Sequence, residues 1–238
     1  MSSEIQASHP DKIKNMFGRV AGKYDLANQV LSLGVHHLWR KKVIKASGVK
    51  PGQKVLDCAT GTGDLAIQFK KAVGSLGEVT GTDFCIEMLG PAPKKAQNKN
   101  LEIKFEVADV MDLPYEKNTF DVCSISFGIR NVQNPKKALQ EMARVTRPNG
   151  QVIILEFGQM KWPLISHLYN FYSEKLLPKL GGLVTGQQEA YEYLHKSSQN
   201  FPCREDFISL MESADCFKKT SYKTLTGGIA YIYIGTVK

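Results

Sequence analysis

The sequence is short of the residues that would announce a disulfide framework or a metal centre. Its 238 residues include five cysteines, Cys58, Cys85, Cys123, Cys203 and Cys216, and these are scattered. None forms a C-x-x-C pair or stands at zinc-type spacing from histidine. Packed, reduced thiols are therefore expected, and no metal is indicated. Long apolar runs are also missing: no stretch approaches the roughly 18 residues that a membrane-spanning helix needs. The first fifteen residues carry Glu4, His9, Asp11 and Lys12 and lack the apolar core of a secretory signal. A soluble or peripheral chain in the cytoplasm is the expectation. There is no long block of like charge either. The formal charge is +8, but the lysines come as dispersed pairs such as Lys41-Lys42, Lys94-Lys95 and Lys218-Lys219. No basic stripe interleaved with aromatics is present, so nucleic acid is not an expected partner.

What is present is ordinary globular material. With 42% hydrophobic and 23% charged residues, one domain can bury a core without staples. The N-terminal 50 residues read as helical, with Ile13, Met16, Phe17, Val20, Ala21 and Tyr24 at helical spacing and a second helix over Val35 to Ala46. Strands follow at Lys54–Cys58, Glu78–Thr82, Glu102–Val107, Phe120–Ser126 and Gln151–Phe157. Helices alternate with them at Asp64–Ala72, Ile86–Gln97, where Pro91 and Pro93 sit awkwardly, and Pro135–Val145. Pro148-Asn149-Gly150 reads as a turn before the fifth strand. Gly158 to Pro202 breaks the alternation and reads as a helical insertion. A helix over Asp206 to Ala214 precedes two strands, Phe217–Leu225 and Ile229–Val237, which suit an antiparallel hairpin at one sheet edge. The pattern predicts a doubly wound, seven-stranded α/β Rossmann-like sheet, with an N-terminal helical lid over residues 1–50 and an insertion over 158–202.

The glycine turn after the first strand carries the first functional signal. Gly61-x-Gly63-x-x-Ala66 satisfies the dinucleotide fingerprint, and Asp83 stands where a ribose-binding carboxylate belongs. Asp57 and Asp64, however, place two carboxylates beside the helix start where a pyrophosphate would sit. A cationic ligand without phosphate suits that turn better, and S-adenosylmethionine, with its sulfonium and ammonium, is such a ligand. Gly61 and Gly63 would allow close backbone approach, and Asp83 would accept from the ribose hydroxyls. Asp109 and Val110 would meet the adenine, and Ser126 ends the fourth strand beside the expected crevice. An NAD-dependent oxidoreductase, an RNA methyltransferase and a non-enzymatic binding module stay open as rivals at this point.

Three stretches narrow the field: Tyr24-Asp25-Leu26-Ala27-Asn28 with Ser32, His36 and Trp39; Ser126-Phe127-Gly128-Ile129-Arg130-Asn131-Val132 after Phe120-Asp121; and Arg144 to Gly150 through Leu155-Glu156-Phe157. Together they resemble the ubiquinone/menaquinone biosynthesis C-methyltransferase family from about Phe17 to the C-terminus. The sequence departs from the family pattern at Thr60, Ala27, Asn149 and Gly158. The resemblance implies methyl transfer from S-adenosylmethionine to a ring carbon of a prenylated quinol, demethylmenaquinol being favoured and a benzoquinol the alternative. Thr62, Asp83, Asp109, Val110 and Ser126 match the family's cofactor contacts. For the chemistry, Arg130 is the first choice to stabilise a developing phenolate and Asn131 to orient the ring oxygen, with His36 and Tyr24 as helpers. The prenyl tail implies access to a membrane surface, and the insertion from Trp162 to Pro178 could cover the tail, rest on lipid or simply cap the sheet edge. Oligomeric state stays open, a homodimer included.

Overall fold

The computed structural model describes residues 10–160 and 171–238. Its frame is a seven-stranded sheet in the order β3-β2-β1-β4-β5-β7-β6. The strands are β1 (Lys54–Cys58), β2 (Glu78–Asp83), β3 (Lys104–Val107), β4 (Phe120–Ser126), β5 (Thr146–Phe157), β6 (Phe217–Leu225) and β7 (Ala230–Val237). β1 to β5 run parallel. β7 enters antiparallel between β5 and β6, closing the expected edge hairpin. The order reverses between β1 and β4, and a crevice opens beyond the carboxyl ends of those strands.

Helices cover both faces, so the central strands are apolar on both sides. Neighbouring residues of β1 show this: Val55 joins one core with Phe69, Ile153 and Leu155, while Leu56 joins the other with Ile125, Leu139 and Phe207. The helices are α1 (Pro10–Val20), α2 (Tyr24–Leu31), α3 (Val35–Ser47), α4 (Asp64–Val73), α5 (Ile86–Leu89), α6 (Ala92–Gln97), α7 (Pro135–Val145), α8 (Leu177–Thr185), α9 (Gln188–Asn200) and α10 (Glu205–Ser213). α7 starts as its sequence dictates, with Pro135 in its first turn and the Asn134 side chain accepting from Lys137 N at 3.0 Å. α3 ends at Gly48, whose φ of 61° is left-handed.

Two expectations change. The helix expected over Ile86–Gln97 is two short helices, broken at Gly90-Pro91, because the proline ring cannot continue the first. The expected turn at Pro148-Asn149-Gly150 lies inside β5. There Phe120 pairs with Thr146 and Val122 with Gln151, so the extra residues are taken up as a bulge, with Asn149 at φ 67°. From the insertion, a π-helical turn (Tyr172–Leu176), α8 and α9 are described, and α8 packs against α2. Trp162, Pro163, Leu164, Ile165, Leu168 and Tyr169 lie outside the described residues.

Candidate active site

The turn after β1 is built by hydrogen bonds from its own residues. Thr60 Oγ1 and Ser124 Oγ donate to the two oxygens of Asp57, at 2.7 and 2.6 Å. Asp57 is 1% exposed, and this burial pushes its carboxyl up to about 6 against the pull of those two hydroxyls. The residue ties β1, β4 and the turn together. Asp64, the first residue of α4, pairs with Arg40 at 2.8 Å and with Lys95. Burial would raise its pKa, but Arg40 and Lys95 outweigh it and hold the carboxyl below the usual range. The expectation that Asp57 and Asp64 make this turn negative is therefore corrected only for Asp64. One is satisfied by hydroxyls inside the sheet, and the other is matched by two cations.

The two glycines divide their work. Gly61, at φ 56°, lines the cleft and donates to Asp83 Oδ2 at 2.9 Å. Gly63, at φ 81°, faces the protein interior: a Cβ there would come within 2.9 Å of Ala92 Cβ and 3.1 Å of the Phe105 ring. Thr62 is also turned away from the cleft, its Oγ1 donating to Asp25 Oδ1 at 2.6 Å. Thr62 and Gly63, expected as ligand contacts, thus hold the turn against the helices around it.

The other expected residues converge. Asp83, at the end of β2, accepts from Gly61 N and Cys85 N, both at 2.9 Å, and lines the cleft with Asp109, Val110 and Ser126. Burial raises the Asp83 carboxyl's pKa, opposed by the backbone donors. Asp109 Oδ1 accepts from Met111 N at 2.8 Å, a local turn that fixes the carboxylate at the rim. Ser126 Oγ is buried with no hydrogen-bond partner among the described residues. A buried hydroxyl left unpaired inside a cleft marks the place of a missing polar group. Phe84 and Met88 supply apolar surface beside these groups. Residue-type reasoning missed both, because aromatic and methionine side chains after a strand read as core.

A second, larger cavity of about 570 Å³ adjoins the first. Its walls come from α1, α2, α3, α8 and α9 and from Phe127, Arg130 and Phe157. Three aromatic residues, Phe17, Tyr24 and Phe127, line both cavities. Phe127 has φ 55°, in the left-handed region that disfavours bulky side chains. It is held there by its N–H on Leu155 O at 2.7 Å and by its ring stacked on Phe157, centroids 4.3 Å apart. Such strain at a boundary between two cavities points to function.

Arg130 and Asn131 follow in a short 3₁₀ turn, Ile129–Asn131. Asn131 lines the first cleft, and its Oδ1 accepts from Tyr193 OH at 3.0 Å. Arg130 lines the second cavity, but it is not a free cation. Nη1 donates to Glu156 Oε1 at 2.6 Å, with both side chains buried. His36 is buried at the wall of the same cavity, with Ser32 Oγ on its Nδ1. Burial, then Arg40 and His37, pushes its imidazole down to about 4, so the ring is neutral at pH 7. Tyr24 stands between the cavities.

Residues 5–237 match the model of the ubiE/COQ5 methyltransferase family. The chain belongs to that family. Among members, the ubiquinone/menaquinone biosynthesis C-methyltransferase UbiE of Bdellovibrio bacteriovorus is 66% identical over 97% of both chains. The UbiE of Idiomarina loihiensis is 40% identical over 94% of this chain and 89% of that one. Solved structures share the fold at low identity. A SAM-dependent methyltransferase from Thermotoga maritima superposes with a TM-score of 0.67 at 17% identity, covering 94% of this chain and 99% of the other. Phosphoethanolamine N-methyltransferase 2 of Haemonchus contortus, solved with S-adenosyl-L-methionine, gives 0.61 at 14% identity over 84% and 52%.

As a ubiE/COQ5 methyltransferase the chain uses S-adenosylmethionine as methyl donor. The first cleft fits that group. The orphaned Ser126 Oγ offers a hydrogen bond, the Asp83 carboxylate ends a strand with acceptor capacity to spare, and Gly61 leaves the backbone bare. Phe84 and Met88 give the flat surface that a purine ring packs on. Family membership, not the charge of the turn, sets aside the oxidoreductase and the binding module.

Proposed function

We propose that this chain methylates a ring carbon of a prenylated quinol, with demethylmenaquinol as first acceptor and a 2-polyprenyl-6-methoxy-1,4-benzoquinol as second. The observation that carries this reading is the contiguity of the two cavities. An apolar chamber adjoins the cofactor cleft at Phe17, Tyr24 and Phe127, and Arg130, paired with Glu156, stands in its wall. The quinone biosynthesis for which the UbiE relatives are named agrees with an apolar aromatic acceptor.

The cofactor, when bound, supplies an electrophilic methyl group on a sulfonium. The quinone ring is electron-poor, so the reduced quinol is the form that can react. Its phenolic proton leaves, electron density moves to the ring carbon, that carbon takes the methyl as the carbon–sulfur bond breaks and a neutral thioether is released, and the ring proton it carried passes to water while the oxygen regains a proton. Phe127 and Tyr24 hold the ring between the cavities. Arg130 stabilises the charge that grows on the ring oxygen, and Asn131, anchored by Tyr193, orients that oxygen. An arginine does not give up its proton readily, so the phenolic proton passes to water.

The tail must leave the chamber, and the surface beside it is apolar. Leu26, Val30 and Leu33 on and after α2, and Leu180 and Leu183 on the adjoining α8, are exposed. The exposed side of α3 adds Lys41, Lys42 and Lys45 with no acidic residue in that helix. This combination suits a peripheral contact with anionic lipid. No described helix is long and apolar enough to cross a membrane.

The deciding experiment is a methyl-transfer assay with reduced demethylmenaquinone and, in parallel, the demethylated benzoquinol. Transfer to the naphthoquinol at the higher kcat/KM is expected. Turnover of neither ring would remove the reading.

A further inference from the structure

Glu156 is a carboxylate in the middle of a sheet, 1% exposed, on a strand flanked by β4 and β7. Both of its oxygens are engaged. Oε1 accepts from Arg130 Nη1 at 2.6 Å and from Phe157 N at 2.9 Å, and Oε2 accepts from Arg130 N at 3.4 Å. The same Nη1 donates to Phe127 O at 2.6 Å. Nε donates to Ser197 Oγ at 3.4 Å, and the guanidinium carbon stands 5.4 Å from the centre of the Phe157 ring. The guanidinium is thus fixed by β5, by α9 and by the strained Phe127 at once. Among the described residues none accepts from Nη2, while Arg130 forms part of the wall of the larger cavity.

A buried ion pair is a poor source of stability, since apolar residues of the same volume do as well or better. Its place here, beside the aromatic boundary between two cavities, calls for a different reason. A matched pair carries no net charge, so an uncharged aromatic acceptor can approach without displacing an ion's hydration. It still presents an oriented dipole, and such a dipole stabilises charge that develops only as the reaction proceeds.

We propose that Glu156 is a positioning residue for methyl transfer: it holds Arg130 towards the ring oxygen of the acceptor, and it cancels the arginine's charge so that the neutral phenol is the form bound. This rests on the quinol reading above. As the phenolic proton leaves, the preset guanidinium meets the charge on the oxygen without rearranging. Without Glu156 the arginine would favour the phenolate already in the ground state, and its aim would be lost.

The test uses the full chain with S-adenosylhomocysteine and 1-naphthol, a phenol that does not cycle between oxidation states and whose ionisation is read by absorbance. In the wild type the bound naphthol is expected to titrate near its free midpoint. In Glu156→Gln the unpaired Arg130 should lower that midpoint by about one pH unit or more. Turnover of the quinol should fall about 100-fold, with KM for the methyl donor unchanged. Glu156→Asp keeps the charge but draws it back by one methylene. It should keep the wild-type midpoint and lose about 10-fold in kcat. The pair Arg130→Gln with Glu156→Gln restores a neutral site if the single variant does not fold. It should show the wild-type midpoint and turn over no more slowly than Arg130→Gln alone. An unmoved midpoint in Glu156→Gln, or losses that multiply in the double variant, would overturn the proposal. A shifted midpoint in a protein that methylates neither quinol would retire the acceptor assignment and keep the Arg130–Glu156 relation.

Discussion

Thr62 Oγ1 and Asp25 Oδ1, 37 positions apart in the chain, meet in a hydrogen bond of 2.6 Å. Lys95 Nζ closes the same cluster, 2.7 Å from Asp25 Oδ2 and 3.1 Å from Thr62 Oγ1, and pairs with Asp64. The glycine turn, α2 and α6 are thereby fastened to one another. α2 also carries Tyr24, which lines both cavities, so the cluster sets how the N-terminal helices sit over the cofactor cleft.

Removing one member should loosen that cover before it loosens the sheet. Asp25→Ala is expected to weaken S-adenosylhomocysteine binding about 10-fold, a coupling of ordinary size between neighbouring sites. Hydrogen exchange should speed up in α1 and α2 while β1 and β4 stay protected. Calorimetry and exchange by mass spectrometry read the two effects. Faster exchange in β1 as well would mean that the cluster supports the whole fold.

Ser126 should behave as a ligand contact, since its buried Oγ has no partner among the described residues. Ser126→Ala is expected to leave unfolding stability within about 0.5 kcal/mol of the wild type, or to raise it. Cofactor affinity should fall about 5-fold, the size of one net hydrogen bond. Urea unfolding and calorimetry on the same preparation separate these. A variant that loses stability but not affinity would make Ser126 a structural residue.

Phe127 combines a left-handed backbone with a packed ring, and two substitutions separate them. Alanine removes the ring and keeps the strain, whereas glycine removes both. Phe127→Gly should therefore be more stable than Phe127→Ala by about 1 kcal/mol, opposite to the order at an ordinary position. Both should turn over slowly, because the wall between the cavities is gone. Equilibrium urea unfolding gives the comparison, and an alanine variant more stable than the glycine one would show that the fold does not impose the geometry.

His36 predicts a pH dependence with a definite sign. Its imidazole falls from the ordinary 6.5 to about 4 in the folded chain, chiefly through burial. Between those values the unfolded chain binds the proton that the folded one does not. The His36 contribution is present above pH 6.5 and is lost as pH falls towards 4. The wild type should lose more Tm over that window than His36→Gln. Equal slopes for the two proteins would place the acid sensitivity elsewhere.

Most of the fold was legible because its signals are local. β1, β4, β6 and α7 begin and end where the alternation of apolar residues, the proline after Asn134 and the glycine turn place them. The errors came where local and distant demands compete. Gly90-Pro91 breaks a helix that the apolar pattern favours, and pairing with Phe120 and Val122 draws Pro148-Asn149-Gly150 into a strand. The site divides the same way. Strand ends are readable from sequence, so Asp83, Asp109, Val110 and Ser126 gather as expected. Thr62 and Gly63 do not line the cleft with them, because residues of one turn point in different directions. The partners Glu156 for Arg130, Asp25 for Thr62, and Arg40 and Lys95 for Asp64 lie 24 to 37 positions away, where spacing carries no information.

The two cavities draw on the chain unequally. Apart from Ile13, Phe17 and Tyr24, the cofactor cleft is walled by residues between Ala59 and Gln133. The larger cavity is walled by residues from the two ends, before Lys41 and after Glu156, with Phe127 and Arg130 between. On the proposed acceptor reading, the preference for one ring over another is written twice, in segments separated by the donor-binding stretch and meeting where α2 packs on α8. A graft of the insertion alone would set a foreign wall against the native N-terminal helices. Redirecting this scaffold to a new ring calls for exchanging both segments together, while the donor half can stay as it is.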